Sequence, residues 1–325
     1  MLNDNNIVMT KDTQTDIKHI IKEINQIKTE DREQIITKFV DLESRNPLDD
    51  MTLAYNFILQ NEQNPELLMC VIKRINNYKP SECLDTLLDL MLLKDSFKNN
   101  LTEIENYVDL RANVAKVISN YKDNKAVLPL LYCMNNKDEH YKIRLACAEA
   151  LGKIGDKYAV TPLIDLVSDE DEKSIYVRES AATALGMIGD MRAVDSLVHI
   201  LEAKKTFLNK FTFLKERVIE ALGKINSPSE RVFKALKNSL DDESPQIRIN
   251  AIEALMNSED ERAVEMIKKA LHDKDKEVVE NAVVALYNLQ GADILNEIIE
   301  SEEYSFKAKQ QAQDILDEYE YDDEE

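Results

Sequence analysis

The side chains in this chain that could do chemistry are four histidines (His19, His140, His199, His272), four cysteines (Cys70, Cys83, Cys133, Cys147) and 62 carboxylates. Metal capture needs donors at short fixed intervals, because one turn of helix or one tight loop must aim two of them at the same ion. The histidines are scattered, with no H-x-x-x-H and no His-Glu dipeptide. The cysteines are 13, 50 and 14 residues apart, with no C-x-x-C pair. They read as reduced thiols, and Cys147 takes a position where other copies of a repeat carry a small core residue. No metal and no cofactor is expected. Of the six glycines, Gly152, Gly155, Gly186, Gly189 and Gly223 belong to recurring slots of that repeat and Gly291 closes a degenerate copy. None remains for a phosphate-cradling loop, and no G-x-S-x-G elbow occurs. No catalytic residue is assigned.

What remains is the carboxylates, whose arrangement emerges only in the frame of the repeat. Ile143-Arg144-Leu-Ala-Cys-Ala-Glu-Ala-Leu-Gly152-Lys-Ile-Gly155-Asp156 recurs as Val177-Arg178-Glu-Ser-Ala-Ala-Thr-Ala-Leu-Gly186-Met-Ile-Gly189-Asp190, 34 residues on. Apolar residues return one position before the Arg slot and three, four, six and seven after it, which is a helical stripe. The stripe continues through Leu214–Leu222, Ile247–Leu255 and Val278–Leu286, and Leu110-Arg111 opens an earlier copy. A shorter amphipathic segment precedes each copy, with Pro129 and Pro162 placed for a first helical turn. The unit is therefore a helical hairpin. Its Gly-Asp end suits a left-handed helix stop followed by a cap for the next helix.

In this frame the positions one and five after the Arg slot share an exposed face. Stacked second helices would align Glu149, Glu179, Glu216, Glu220, Glu253 and Glu280. Two readings stand: a solvated surface, or an acidic stripe for a basic partner segment, whose field selects charge sign and speeds encounter. The Arg slot (Arg111, Arg144, Arg178, Arg248) follows Asp138, Glu172 or Asp242 by six residues in most copies. An exposed ladder of arginines and turn acids bridging adjacent repeats is expected, setting register more than stability. The interval from Arg178 to Lys215 is longer, and the extra residues lie in Lys204–Phe213, with Lys204, Phe207, Lys210 and Phe211. This segment reads either as buried aromatic helix or as an exposed contact loop.

The formal net charge of −21 opposes nucleic acid and anionic membrane, so the expected partner is a protein with a basic surface or segment. A polar start and the absence of a long apolar run point to a cytoplasmic protein without leader or anchor. Expected divisions are a flexible N-terminus (1–15), degenerate repeats (16–124), clear repeats (125–291), capping helices (292–316) and a disordered acidic tail (317–325).

At A-L-G-x-I-G-D preceded by V-R or I-R, the chain resembles HEAT repeats of the short phycobilisome-lyase-like kind. The resemblance implies an all-α fold, an α-solenoid of about eight antiparallel hairpins, with second helices on the concave face of a superhelix. Iron-binding hydroxylases of similar build carry His-Glu pairs where this chain has Arg144-Leu-Ala-Cys, and DNA glycosylases of HEAT-like build use a basic surface. The function expected is a non-enzymatic scaffold, adaptor or assembly factor that holds a protein on the concave face. The alternative is a bilin (tetrapyrrole) lyase-like subunit.

Overall fold

Short helices capped by aspartate alternate with longer helices rich in alanine. The structure, a computed structural model, describes residues 18–23, 32–62, 64–92, 104–202 and 212–322, and its regular structure is entirely helical. Contacts divide the chain into two units, one ending at Ile154 and one beginning at Gly155.

The first unit contains α1 (Arg32–Arg45) and the pairs α2 (Leu48–Asn61) with α3 (Pro65–Tyr78), α4 (Cys83–Leu92) with α5 (Ile104–Ser119), and α6 (Val127–Asn135) with α7 (Tyr141–Ile154). Helices α1, α3, α5 and α7 pack in succession, as second helices of a stack must. The second unit repeats the plan in five pairs. These are α8 (Val160–Ser168) with α9 (Ile175–Ile188), α10 (Val194–Glu202) with α11 (Thr212–Ile225), and α12 (Glu230–Ser239) with α13 (Pro245–Met256). They continue with α14 (Glu261–Lys268) and α15 (Lys276–Gln290), then α16 (Ala292–Glu300) and α17 (Phe306–Asp322). Helices α9, α11, α13, α15 and α17 form its second-helix row. Both units are stacks of hairpins in the α-solenoid manner. Among the described residues no helix is long and apolar enough to cross a membrane. Helix α17 runs to Asp322, into the acidic segment that begins at Asp317.

Local chemistry explains each boundary. Asp123, Asp156, Asp190 and Asp260 accept hydrogen bonds from the backbone N–H two residues on, satisfying a donor that the helix start leaves open. Gly155 and Gly189 stop their helices at φ +81° and +71°, the left-handed region where a side chain is strained. Where the glycine signal fades the geometry persists: Lys79, Lys122, Asn226 and Glu259 adopt φ of 48° to 53° at the corresponding turns. The apolar stripe of every second helix is buried, including Cys147 and its alanine equivalents. All four cysteines are buried. Helices approach closely at Gly186, where a Cβ would lie 2.7 Å from Ala221 Cα, and at Gly223, 3.0 Å from Ala254 Cα.

The exposed arginine ladder expected from the sequence is corrected. Arg111, Arg144, Arg178 and Arg248 are buried, at 4–6% exposure. Three of them donate Nε to a carbonyl in the last turn of the paired first helix: Arg111 to Met91, Arg144 to Met134 and Arg178 to Val167, at 2.8–3.0 Å. Helix ends leave such carbonyls without intrahelical partners, so the guanidinium closes the hairpin. Burial depresses the pKa of Arg178 despite nearby Glu170 and Asp169. The acids that do pair with the slot come from the next hairpin's turn: Arg111 meets Glu139 at 2.6 Å, and Arg248 meets both oxygens of Asp273 at 2.8 Å. Lys215, in the same slot, reaches Asp242 at 3.1 Å. Asp242 gives Arg248 only its main-chain carbonyl.

Breaking a buried pair leaves an uncompensated charge, so Arg248→Ala is expected to destabilise by about 3 kcal/mol. Lys142→Ala, which removes an exposed pair with Asp109, should cost less than about 1 kcal/mol. Urea unfolding followed by circular dichroism compares the two, and equal losses would contradict the assignment. Gly186→Ala must push α9 from α11 and is expected to cost about 1–3 kcal/mol, read the same way.

Candidate functional site

The second-helix row of the second unit positions most of the acids singled out by the repeat frame. Glu179 lies on α9, Glu216 and Glu220 on α11, Glu253 on α13 and Glu280 on α15, each helix packed on the next. Four of these acids form one electrostatic group. Burial raises the pKa of Glu179, with Arg217 opposing and Glu216 adding to the shift. Burial likewise raises Glu216, with Arg217 opposing and Glu220 adding. Glu253 is raised by burial and then by Glu220. Glu179 and Glu253 thus feel an acid across a helix interface, and Glu216 feels one on its own helix.

The group has one built-in cation. Arg217 donates from one nitrogen, Nη1, to both oxygens of Glu220 at 2.8 Å, so among the described residues the four carboxylates share this guanidinium. Glu220 is the paired member; Glu179, Glu216 and Glu253 have no side-chain hydrogen bond or ion pair among the described residues, and Glu216 is the least exposed of the four, at 8%. Its carboxylate oxygens still reach water, but partial burial thins their hydration and no protein donor replaces it.

Two expected members lie elsewhere. Glu280 is engaged by Lys276 at 2.6 Å on its own helix. Glu149 belongs to the first unit, where burial raises its pKa and the Lys116 ammonium counters the effect. Lys204, Phe207, Lys210 and Phe211 lie outside the described residues.

Aromatic residues that the repeat frame does not mark complete the face. Tyr176 and Phe213 occupy the same slot, two residues before Arg178 and Lys215, and are 57% and 65% exposed. Each lies three residues before an acid of the group, Glu179 or Glu216, and so shares its helix face. Met187, eight residues after Glu179, is exposed at the other end of α9. The sequence held a signal for this pair, an aromatic at one slot of consecutive copies, but the longer interval before Lys215 hides the alignment. Among the described residues, no group of three or more metal-ligating side chains could hold a metal ion. The arrangement can do one thing well: present carboxylates and aromatic faces to a cationic, partly apolar segment.

No curated protein matches the sequence. Among solved structures, the complex of CpcE and CpcF of phycocyanin lyase from Nostoc sp. PCC7120 is similar at 21% identity. The match covers 71% of this chain and 94% of that one, with a TM-score of 0.45. Kap121p is similar at 12% identity over 92% of this chain and 37% of its own length, with a TM-score of 0.51. The Kap121p complex with the extreme C-terminus of the protein phosphatase Cdc14p gives 13%, 91%, 37% and 0.51. The chain thus spans well under half of Kap121p, and the likeness is one of fold. The sequence itself matches HEAT repeats at residues 100–175, 136–210 and 211–288. With its hairpins, its buried arginine slot and matched repeats over more than half its length, the chain belongs to the HEAT-repeat family.

Proposed function

We propose that this protein is a non-enzymatic scaffold, an adaptor or assembly factor, that holds a basic segment of a protein partner on the second-helix face of its second unit. The observation that supports this most is the cluster of Glu179, Glu216, Glu220 and Glu253, in which Arg217 pairs with Glu220 alone and the little-exposed Glu216 has no protein donor, on helices that also carry the exposed rings of Tyr176 and Phe213. A lysine or arginine from a partner would supply the missing donor, and its apolar stem would lie against an aromatic face. Residues 204–211, which carry Lys204, Lys205, Phe207, Lys210 and Phe211 just before Phe213 in sequence, extend the proposed contact. In Kap121p a similar fold binds the extreme C-terminus of another protein, which is consistent with this use.

Reversing Glu179, Glu216 and Glu220 to Lys tests the reading. In affinity capture from extract of the native host, followed by mass spectrometry, a stoichiometric partner of the wild-type protein should be lost from the triple variant. Binding measured with the purified pair should weaken at least about tenfold, and more salt should weaken the wild-type complex. Equal affinity with an unchanged circular dichroism spectrum, or a visible chromophore in the eluate, would refute the scaffold reading.

Stability should oppose binding at this site. A carboxyl whose folded pKa is raised contributes stability below its unfolded value, near the ordinary 4.5, and loses it as pH rises through the folded value. At pH 7 the ionised Glu216 is therefore a cost, and Glu216→Gln is expected to raise the melting temperature while weakening the partner. The gain should fade as pH falls below about 4.5. A variant equally stabilised at both pH values would show that burial of charge is not the cause.

A further inference from the structure

The first unit carries a surface of opposite character. A cavity of about 370 Å³ lies on its second-helix row, lined by Ile36 of α1, residues of α3 from Met69 to Asn77, and Asn113, Lys116, Val117 and Asn120 of α5. Ligand pockets begin at about this size. No acid lines it, although the chain has 62 acids against 41 bases. Instead it presents Lys73, Arg74 and Lys116 among four asparagines.

The donors of this cavity exceed the acceptors that face it. Arg74 is spoken for: its Nε meets Glu43 Oε1 at 2.7 Å, and its Nη2 holds the second oxygen. Burial alone would raise the Glu43 carboxyl, but hydrogen bonds from Arg74 and Tyr55 keep it below the usual range. Lys73 and Lys116 are exposed, and no hydrogen bond or ion pair engages either ammonium among the described residues. Asn120 Nδ2 donates to Asn76 Oδ1 at 2.5 Å, and Lys153 of α7 donates to Asn120 Oδ1. That chain engages the Asn76 and Asn120 oxygens and leaves the Asn76 amide N–H groups, the whole Asn77 amide and the oxygen of Asn113, whose Nδ2 donates to Asp109 O, over the cavity. The floor is apolar, with Ile72 and Val117 buried.

We propose that this cavity binds an acidic peptide segment of a protein, with Lys73 and Lys116 taking carboxylates and the Asn76 and Asn77 amides holding main-chain carbonyls. Amides suit a peptide because they match its backbone, whereas nucleic acid would have to approach a chain of net charge −21 with only two or three cations to receive it. The same net charge makes the test clean. The protein has no general attraction for a polyanion, so saturable binding of one must come from a local site.

The probe is a fluorescein-labelled alternating Asp-Glu octapeptide, titrated with the full chain by fluorescence anisotropy. Saturable binding is expected, with no binding of the matching Asn-Gln octapeptide. The double variant Lys73→Glu and Lys116→Glu should weaken it at least about tenfold. Asn77→Ala, which leaves charge unchanged, should weaken it about threefold. The triple reversal of Glu179, Glu216 and Glu220 should not abolish it. All these side chains but Glu216 are at least partly exposed, so circular dichroism should show folded variants. Absence of saturation up to about 1 mM would overturn the proposal, as would an affinity indifferent to the lysine reversals. Displacement by single-stranded poly(dT) at concentrations no higher than the peptide's own would reassign the site to nucleic acid.

Discussion

Everything in this molecule depends on how a short helix ends. The final carbonyls of a helix have no partner within it, and in a stack of hairpins they face the neighbouring helix rather than water. The chain answers with a buried guanidinium at a fixed slot of the second helix. Arg111, Arg144 and Arg178 each place Nε on a carbonyl in the last turn of the first helix. With the first helix so tied, the alanine stripe finds its register, and the aspartate caps and left-handed stops can be as brief as they are. Where the slot also meets an acid of the following hairpin, at Glu139, Asp242 or Asp273, the same residue joins one repeat to the next.

That double duty explains why the arginine slot was misjudged at the level of pattern. A basic residue in a repeat whose turns are acidic looks like a surface pair, and helical periodicity places it at the margin of the apolar stripe. Burial of a guanidinium is decided by the distance between helices, which small residues set. Gly186 against Ala221 and Gly223 against Ala254 show how close such backbones come. Periodicity has no access to that distance.

The hairpins themselves were legible, since Gly155, Gly189 and the alanine stripe mark second helices by residue type alone. The N-terminal copies were harder because conformation outlasted composition. Lys79 and Lys122 take the left-handed turn without glycine, and α4 has no repeat signature beyond its apolar residues. At the candidate site the acids could be placed from spacing, and Glu179, Glu216, Glu220 and Glu253 do fall together. The low exposure of Glu216, the paired rings of Tyr176 and Phe213 and the lysine-asparagine cavity could not. Each arises from side chains on different helices, whose meeting depends on packing rather than on order along one chain.

The contact of Gly186 on Ala221 has a consequence beyond stability. Helices touching through glycine and alanine sit at the short end of the usual interaxial range, about 8 Å. Carboxylates on successive second helices are then spaced by nearly the distance between side chains two residues apart on one side of an extended strand, about 7 Å. Helix spacing becomes a ruler. A partner laid across α9, α11 and α13 would be measured in steps of two residues, so the smallest side chains in the core would determine which cationic sequences are in step with the surface.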